Sequence, residues 1–249
     1  MYCIKTKKLN ISYGNIDIVK DLNLNIPKGK ITTIIGANGC GKSTILKTIA
    51  RILKAKSGEI YINDLEISKQ SSNELAKAMA VLPQSPVAPK GLTVEELVAY
   101  GRFPHQNKFG SLKKEDKEII EWALKETGIL EFKERPIEAL SGGQRQRAWI
   151  AMALAQKTDI VVLDEPTNHL DNDTIDYLEE LLKNKRCGVV MVTHDRYFLE
   201  RITNRIVELD QGKLYKYEGN YEAYLEQKAE RESIEERMRE KNFSLYKKE

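Results

Sequence analysis

Residues 36–44, Gly36-Ala37-Asn38-Gly39-Cys40-Gly41-Lys42-Ser43-Thr44, carry glycines, a lysine and two hydroxyls in the spacing G-x-x-x-x-G-K-S. A buried β-branched run, Ile31–Ile35, leads into them, and Ile45, Leu46, Ile49, Ile52 and Leu53 follow at helical spacing. A strand, a glycine-rich loop and a helix N-terminus form an anion cradle, because unpaired amides and the helix dipole converge on one spot. Gly36, Gly39 and Gly41 allow close backbone approach to a phosphate, while Lys42 reaches the outer phosphates and Ser43 offers a hydroxyl to magnesium. The loop predicts a nucleoside triphosphate site.

Three further groups bear chemistry. Ile160–Leu163 is an apolar strand that runs straight into Asp164-Glu165, and carboxylates at the C-terminal edge of a parallel strand sit where ligands bind in open α/β sheets. Asp164 is expected to hold magnesium, and Glu165 to orient or deprotonate an attacking water. Ser141-Gly142-Gly143-Gln144 opens a helix, with Ser141 as N-cap and two glycines exposing amides at the positive dipole end. It reads as a second anion site, since a plain cap does not require two glycines and a glutamine in succession. His194 ends the strand Gly188–Thr193 and is a candidate γ-phosphate sensor. Gln84 lies at a strand-to-loop switch, Val81–Pro86, where a plain surface glutamine is the alternative reading. Tyr13 is either a half-buried sheet tyrosine or a ring stacked on a nucleobase.

The elements that must position these groups follow from the pattern. Strands are expected at Ile4–Tyr13, Ile18–Ile26, Lys30–Ile35 and Glu59–Ile62, with Gly14-Asn15 and Pro27-Lys28-Gly29 as turns. From about Leu65 to Gln156 the character becomes helical, with a capping box at Thr93-Val94-Glu95-Glu96 and Gly128 as a C-terminal cap. An inserted helical subdomain is placed over 65–156. Arg205–Leu209, the turn Asp210-Gln211-Gly212 and Lys213–Tyr217 close the core, so that 1–217 form one nucleotide-binding domain. Residues 218–249 read as a charged helical extension, with Tyr221, Tyr224, Leu225, Ile234 and Met238 as its apolar positions. The fold class is α/β.

Composition narrows the setting. Among 249 residues, 41% are hydrophobic and 31% charged, as in an ordinary globular chain. A net charge of +3 is too small to argue for nucleic acid, and direct DNA binding is not expected. Apolar runs are strand-sized, the N-terminus lacks a secretory core, and three scattered cysteines suggest neither a disulfide framework nor a zinc site. A cytoplasmic chain is expected.

GANGCGKST, Gln84, LSGGQ, IVVLDEP, a loop ending HLD and His194 occur in the order found in ATP-binding-cassette ATPases, which the chain resembles over nearly its whole length. The resemblance implies a P-loop NTPase (RecA-like) core with an antiparallel β subdomain and an inserted α-helical subdomain. It also implies ATP and Mg2+ as ligands, and a head-to-tail homodimer with each ATP between one subunit's phosphate loop and the other's signature loop. Tyr13 matches the adenine-stacking position, and Lys42, Ser43 and Thr44 the phosphate and metal ligands. Gln84 matches the magnesium and water contact, Asp164 the second metal-holding residue, Glu165 the catalytic base and His194 the switch. Ser141, Gly142, Gly143 and Gln144 belong to the loop that serves the partner's ATP, and Asp171 to a loop that crosses the dimer interface.

Two subfamilies are resembled. Residues 1–166 are similar to ATPase subunits of iron–siderophore and cobalamin-type importers, as in Leu82-Pro83-Gln84, Tyr100–His105 and LSGGQRQRAWIAMALAQ. Residues 167–249 are similar to ribosome-associated ABC-F proteins, as in TNHLD and VTHDRYFLERITNRIVELDQGKLYKYEGNY. Gln144 departs from the ABC-F pattern, and Asp195-Arg196-Tyr197-Phe198 from the importer pattern. The leading expectation is an importer ATPase working with separate permease subunits at the inner face of the membrane. The alternative is an ABC-F fragment acting on ribosomes.

Overall fold

The structure, a computed structural model, describes residues 1–13, 16–106, 111–168, 170–184, 187–210 and 212–246; the side chains of Tyr13, Ile16 and 241–246 lie outside that description. The expected turn at 14–15 and Gln211 also fall outside it.

The N-terminal strand β1 (Tyr2–Tyr13) pairs antiparallel with β2 (Ile16–Leu22) along its second half and with β3 (Asn25–Pro27) along its first. The single strand expected over Ile18–Ile26 is therefore two strands serving opposite ends of β1. The break falls at Asn23-Leu24, just after Asp21, the next-to-last residue of β2, takes φ 48° and bends the chain away from extended geometry. On the other edge of β1 lie β5 (Ser57–Ile62) and then β6 (Leu65–Glu66), giving a five-stranded antiparallel sheet.

The second sheet holds β4 (Ile31–Gly36), β7 (Met79–Leu82), β8 (Ile160–Asp164), β9 (Gly188–Val192), β10 (Arg205–Asp210) and β11 (Lys213–Glu218). Its order is β11-β10-β4-β9-β8-β7, parallel except for the β10–β11 hairpin. Strict alternation sorts its side chains. Val161, Leu163, Val189 and Met191 face the helical cluster, while Ile160, Val162, Val190 and Val192 face the antiparallel sheet and α1 (Lys42–Ile49). Both faces are covered, as a parallel sheet requires.

The span 65–156 is not helical throughout. It opens with β6, then α2 (Ser72–Ala78), and then β7, which is the outer strand of the parallel sheet. The helices packed on one another are α3 (Val94–Tyr100), α4 (Lys114–Glu126) and α5 (Gly142–Ala155). Thr93 and Glu96 form the capping box of α3, and Gly128 takes φ 61° just beyond α4. A buried ion pair, Arg102 Nε to Asp116 Oδ1 at 2.8 Å, joins α3's end to α4, and Arg102 Nη1 also donates to the Ala155 carbonyl at 2.8 Å. Gly101 permits this junction, because a Cβ there would lie 2.2 Å from the Met152 carbonyl oxygen. Helices α6 (Asn172–Lys183) and α7 (Arg196–Ile202) follow β8 and β9, and α8 (Tyr221–Tyr246) closes the described chain.

Candidate nucleotide site

Strand β4 is buried to Ile34 and opens at Gly36, where the chain turns toward solvent. Gly36 cannot carry a side chain: its φ is 152°, and a Cβ would stand 2.4 Å from the Leu209 carbonyl of the adjoining strand β10. Gly41 takes φ 107° as the N-cap of α1, with Ile18 packed where its Cβ would be. The loop amides and the N-terminus of α1 thus ring a cavity of about 560 Å3. Asn38, Gly39, Gly41, Lys42, Ser43 and Thr44 form one wall, and Gln84, Glu165, Asn168 and His194 form the other.

Sheet order explains the meeting. β4 lies beside β9, and β9 beside β8, so residues at the carboxyl ends of the three strands converge. Lys42 Nζ donates to the Gly36 and Ala37 carbonyls, both at 3.0 Å, which curls the loop around its own cation. Ser43 Oγ donates to Asp164 Oδ1 at 2.8 Å, bridging the loop and the end of β8. Glu165 extends that strand, its amide donating to the Val192 carbonyl at 2.8 Å, but its φ is +51°. A non-glycine residue in that region stores strain, which structures tolerate chiefly where a side chain must be aimed.

Glu165 is nearly buried, and His194 Nε2 lies 3.4 Å from its Oε1. Burial pushes the Glu165 carboxyl above its ordinary range; Asp164 adds to that, while His194 and Lys42 pull the other way. The histidine is held by its neighbours. Thr193 Oγ1 lies 3.1 Å from Thr167 Oγ1, and Asp195 caps α7 by accepting from the Phe198 amide at 3.1 Å. Chemically, the cavity offers amides and an ammonium for phosphate, and a carboxylate with raised proton affinity beside an imidazole. Its donor set also suits a hard divalent cation. Ser43, Gln84 and Asp164 present oxygens, and a magnesium ion takes one or two protein oxygens together with substrate phosphates.

Gly36 and Cys40 support the loop from outside the cavity lining, Asp164 enters through Ser43, and the Tyr13 side chain lies outside the described residues. Ser141, Gly142, Gly143, Gln144 and Asp171 are not part of the lining. Ser141 and Gln144 instead form a reciprocal capping box at 3.2 and 3.0 Å, so capping does use the glutamine. Asp171 caps α6 through the Thr174 amide at 2.8 Å, beside Gly143. Two lining residues escaped the sequence reading. Asn168 could have been found from Pro166, which turns the chain back on Glu165; Ile18 carried no polar signal.

A family model described as ABC transporter matches residues 19–168, and a second with the same description matches 207–249. The chain belongs to the ABC transporter family. It is 54% identical over 220 residues to the iron(3+)-hydroxamate import ATP-binding protein FhuC of Bacillus subtilis (strain 168), covering 87% of this chain and 82% of that protein. The petrobactin import ATP-binding protein FpuD of Bacillus anthracis is 47% identical over 216 residues, covering 85% and 79%. Among solved structures, the dimeric MJ0796, a bacterial ABC transporter cassette, superposes with a TM-score of 0.75 at 31% identity over 86% of this chain and 98% of that one. The chain is thus an ATPase cassette of the P-loop α/β class. The ABC-F resemblance expected from residue 167 onward is not borne out, and the rear match carries the same ABC transporter description as the front one.

Proposed function

We propose that this cassette hydrolyses ATP with Mg2+ to drive import of an iron–siderophore or related metal chelate through separate permease subunits. The observation that carries the reading is the 54% identity to a hydroxamate-import ATP-binding protein over most of both chains. No helix among the described residues is long and apolar enough to cross a membrane, so on this reading the chain works at the inner face against its permease.

The residues divide the work by position. Incoming phosphates draw Lys42 Nζ off the Gly36 and Ala37 carbonyls, exchanging two neutral acceptors for charged ones. Ser43, Asp164 and Gln84 would hold a magnesium ion, which would supply neutralisation of phosphate charge. Glu165 takes the proton of, or orients, the attacking water, a task its raised proton affinity suits. His194 steadies that carboxylate and senses the terminal phosphate. Ser141–Gly143 and Asp171 serve the ATP of a second, head-to-tail copy, a reading favoured by their absence from this chain's own cavity and by the dimeric likeness.

Reconstitution with the permease subunits of a hydroxamate importer in proteoliposomes tests this. ATPase stimulated by the iron-loaded chelate is the expected result. A folded, ATP-hydrolysing chain that associates with no such permease removes the transport reading.

A further inference from the structure

Helix α8 is more than a solvated charged tail, because its first half closes over a buried carboxylate. Glu208 of β10 has a side chain only 5% exposed. It accepts from Tyr224 Oη at 2.8 Å, Lys228 Nζ at 2.5 Å and Tyr217 Oη at 3.1 Å, with Arg231 Nη1 at 3.3 Å. Three of these four partners come from α8. Burial alone would raise the carboxyl's proton affinity, yet Lys228 and the tyrosine hydroxyls more than offset it and hold the group below its ordinary range. Replacing a buried ion pair by well-packed apolar side chains is often neutral for stability, whereas removing one partner alone is costly, so these contacts tie α8 to β10 at defined atoms.

What it specifies is adjacent to the phosphate loop. In the parallel pairing of β10 with β4, Glu208 stands opposite Ile35 and Leu209 opposite Gly36. The Ile35 side chain packs into the small cluster of Ile206, Tyr217 and Tyr224, with Tyr215 and Tyr221 beside it. Gly36 rests directly on the Leu209 carbonyl, with no room for even a methyl group. The start of the loop therefore has no slack relative to the strand that α8 clamps. The helix's first turn is tied elsewhere: Glu200 of α7 accepts from the Glu222 amide at 2.8 Å and from the Asn220 side chain. Helix α7 begins one residue after His194's neighbour Asp195, so α8 bridges the elements behind both walls of the cavity.

We propose that Glu208 is a positioning residue for ATP: it latches α8 onto β10, while Glu200 ties the start of the helix to α7, and the latched helix holds Ile35 and Gly36 in the geometry that receives phosphate. The inference rests on the reading of Gly36–Thr44 as the nucleotide cradle.

The test compares full-length wild type with Glu208→Gln and Lys228→Met, by titration with a fluorescent ATP analogue, steady-state ATPase and amide hydrogen exchange. Both variants are expected to raise the nucleotide Kd and the KM by about fivefold while kcat at saturating ATP stays within about twofold. Exchange is expected to quicken together in 31–40 and 221–231, with Lys228→Arg restoring wild-type values. Should Glu208→Gln not fold, Tyr224→Phe removes a single hydroxyl and is expected to move Kd in the same direction by less. Folded variants with quickened exchange in 221–231 but wild-type Kd and KM overturn the inference, as does a lowered melting temperature alone. A folded wild type that binds no ATP overturns the nucleotide reading instead.

Discussion

Replacing Arg102 by methionine leaves Asp116 buried without its cation. The two side chains are 8% and 5% exposed, and their 2.8 Å contact is joined by the bond from Arg102 Nη1 to the Ala155 carbonyl. Removing one partner of such a pair costs about 3–5 kcal/mol, because the surviving charge keeps its desolvation penalty. For a chain of this size that lowers the melting temperature by roughly 6–20 °C, at about 2–4 °C per kcal/mol. The double variant Arg102→Met, Asp116→Leu removes the orphaned charge and is expected to recover most of the loss. Burial raises the Asp116 carboxyl, but the Lys113 amide and Arg102 together bring it below its ordinary range. A depressed carboxylate contributes stability that is full above the unfolded pKa, about 3.9, and lost as pH falls through the folded value. The gap between wild type and Arg102→Met is therefore expected to narrow on acidification.

The pair also fixes α5, whose far end carries Ser141, so hydrolysis is expected to suffer. Nucleotide binding by the isolated subunit, whose loop packs in the other apolar cluster, is expected to stay within about twofold. Scanning calorimetry and nucleotide titration measure both. A loss below about 1 kcal/mol, or a double variant less stable than the single, would refute the reasoning.

Glu165→Gln is expected to keep ATP binding, to lower hydrolysis by about 10²–10⁴-fold and to accumulate as an ATP-bound dimer by light scattering; a monomer at saturating ATP and magnesium contradicts the proposed head-to-tail pair. Because burial raises the Glu165 carboxyl, its favourable contribution is lost as pH rises through the folded value, so Glu165→Gln should melt no lower than wild type at pH 8, and wild-type ATPase should show an acid limb centred above 4.5. Lys42→Ala is expected to weaken ATP binding by more than about tenfold in the same titration, through loss of the charge-assisted contacts. Gly36→Ala forces a methyl against the Leu209 carbonyl at 2.4 Å and should cost about 1–3 kcal/mol in urea denaturation. Gly143→Ala places its methyl 3.3 Å from Thr174 Oγ1 and 3.4 Å from Asp171 Oδ2, so the fold should persist while ATP-driven dimerisation and hydrolysis fall; unchanged turnover would count against a role in a partner's site.

Local chemistry was legible where neighbouring residues decide it. The phosphate loop, the apolar run into Asp164-Glu165, the capping box of α3 and the Ser141 cap of α5 are set within a few residues, and the structure places those elements where the pattern does; the reciprocal bond from Gln144 back to Ser141 was not read from the pattern. Long-range pairing was less accessible. Nothing within Met79–Leu82 says that it will be the outer strand of the parallel sheet, because the strand it pairs with, β8, begins at Ile160. Glu208 in an alternating strand reads as solvent-facing, whereas Tyr217 of the hairpin and Tyr224, Lys228 and Arg231 of a later helix gather over it. Ile18 matters through the space that Gly41 leaves open, which no single-position property records.

Among the described residues, the N-termini of α1 and α5 both carry glycine, and that of α1 opens into the cavity with the carboxylates. α1 presents its first turn beside Lys42 and Ser43. α5 presents Gly142 and Gly143 elsewhere, braced by Arg147 donating to Thr174 Oγ1 and by Gln146 Nε2 donating to the Pro166 carbonyl at 3.3 Å. The second brace matters most. Pro166 directly follows Glu165, so a displacement of α5 would pull on the turn that carries this residue and its φ of +51°. An anion arriving at α5 from a second copy would press on the turn that aims Glu165 in the first. In the proposed head-to-tail pair a two-fold axis would make that effect reciprocal, which would give hydrolysis a physical reason to await pairing.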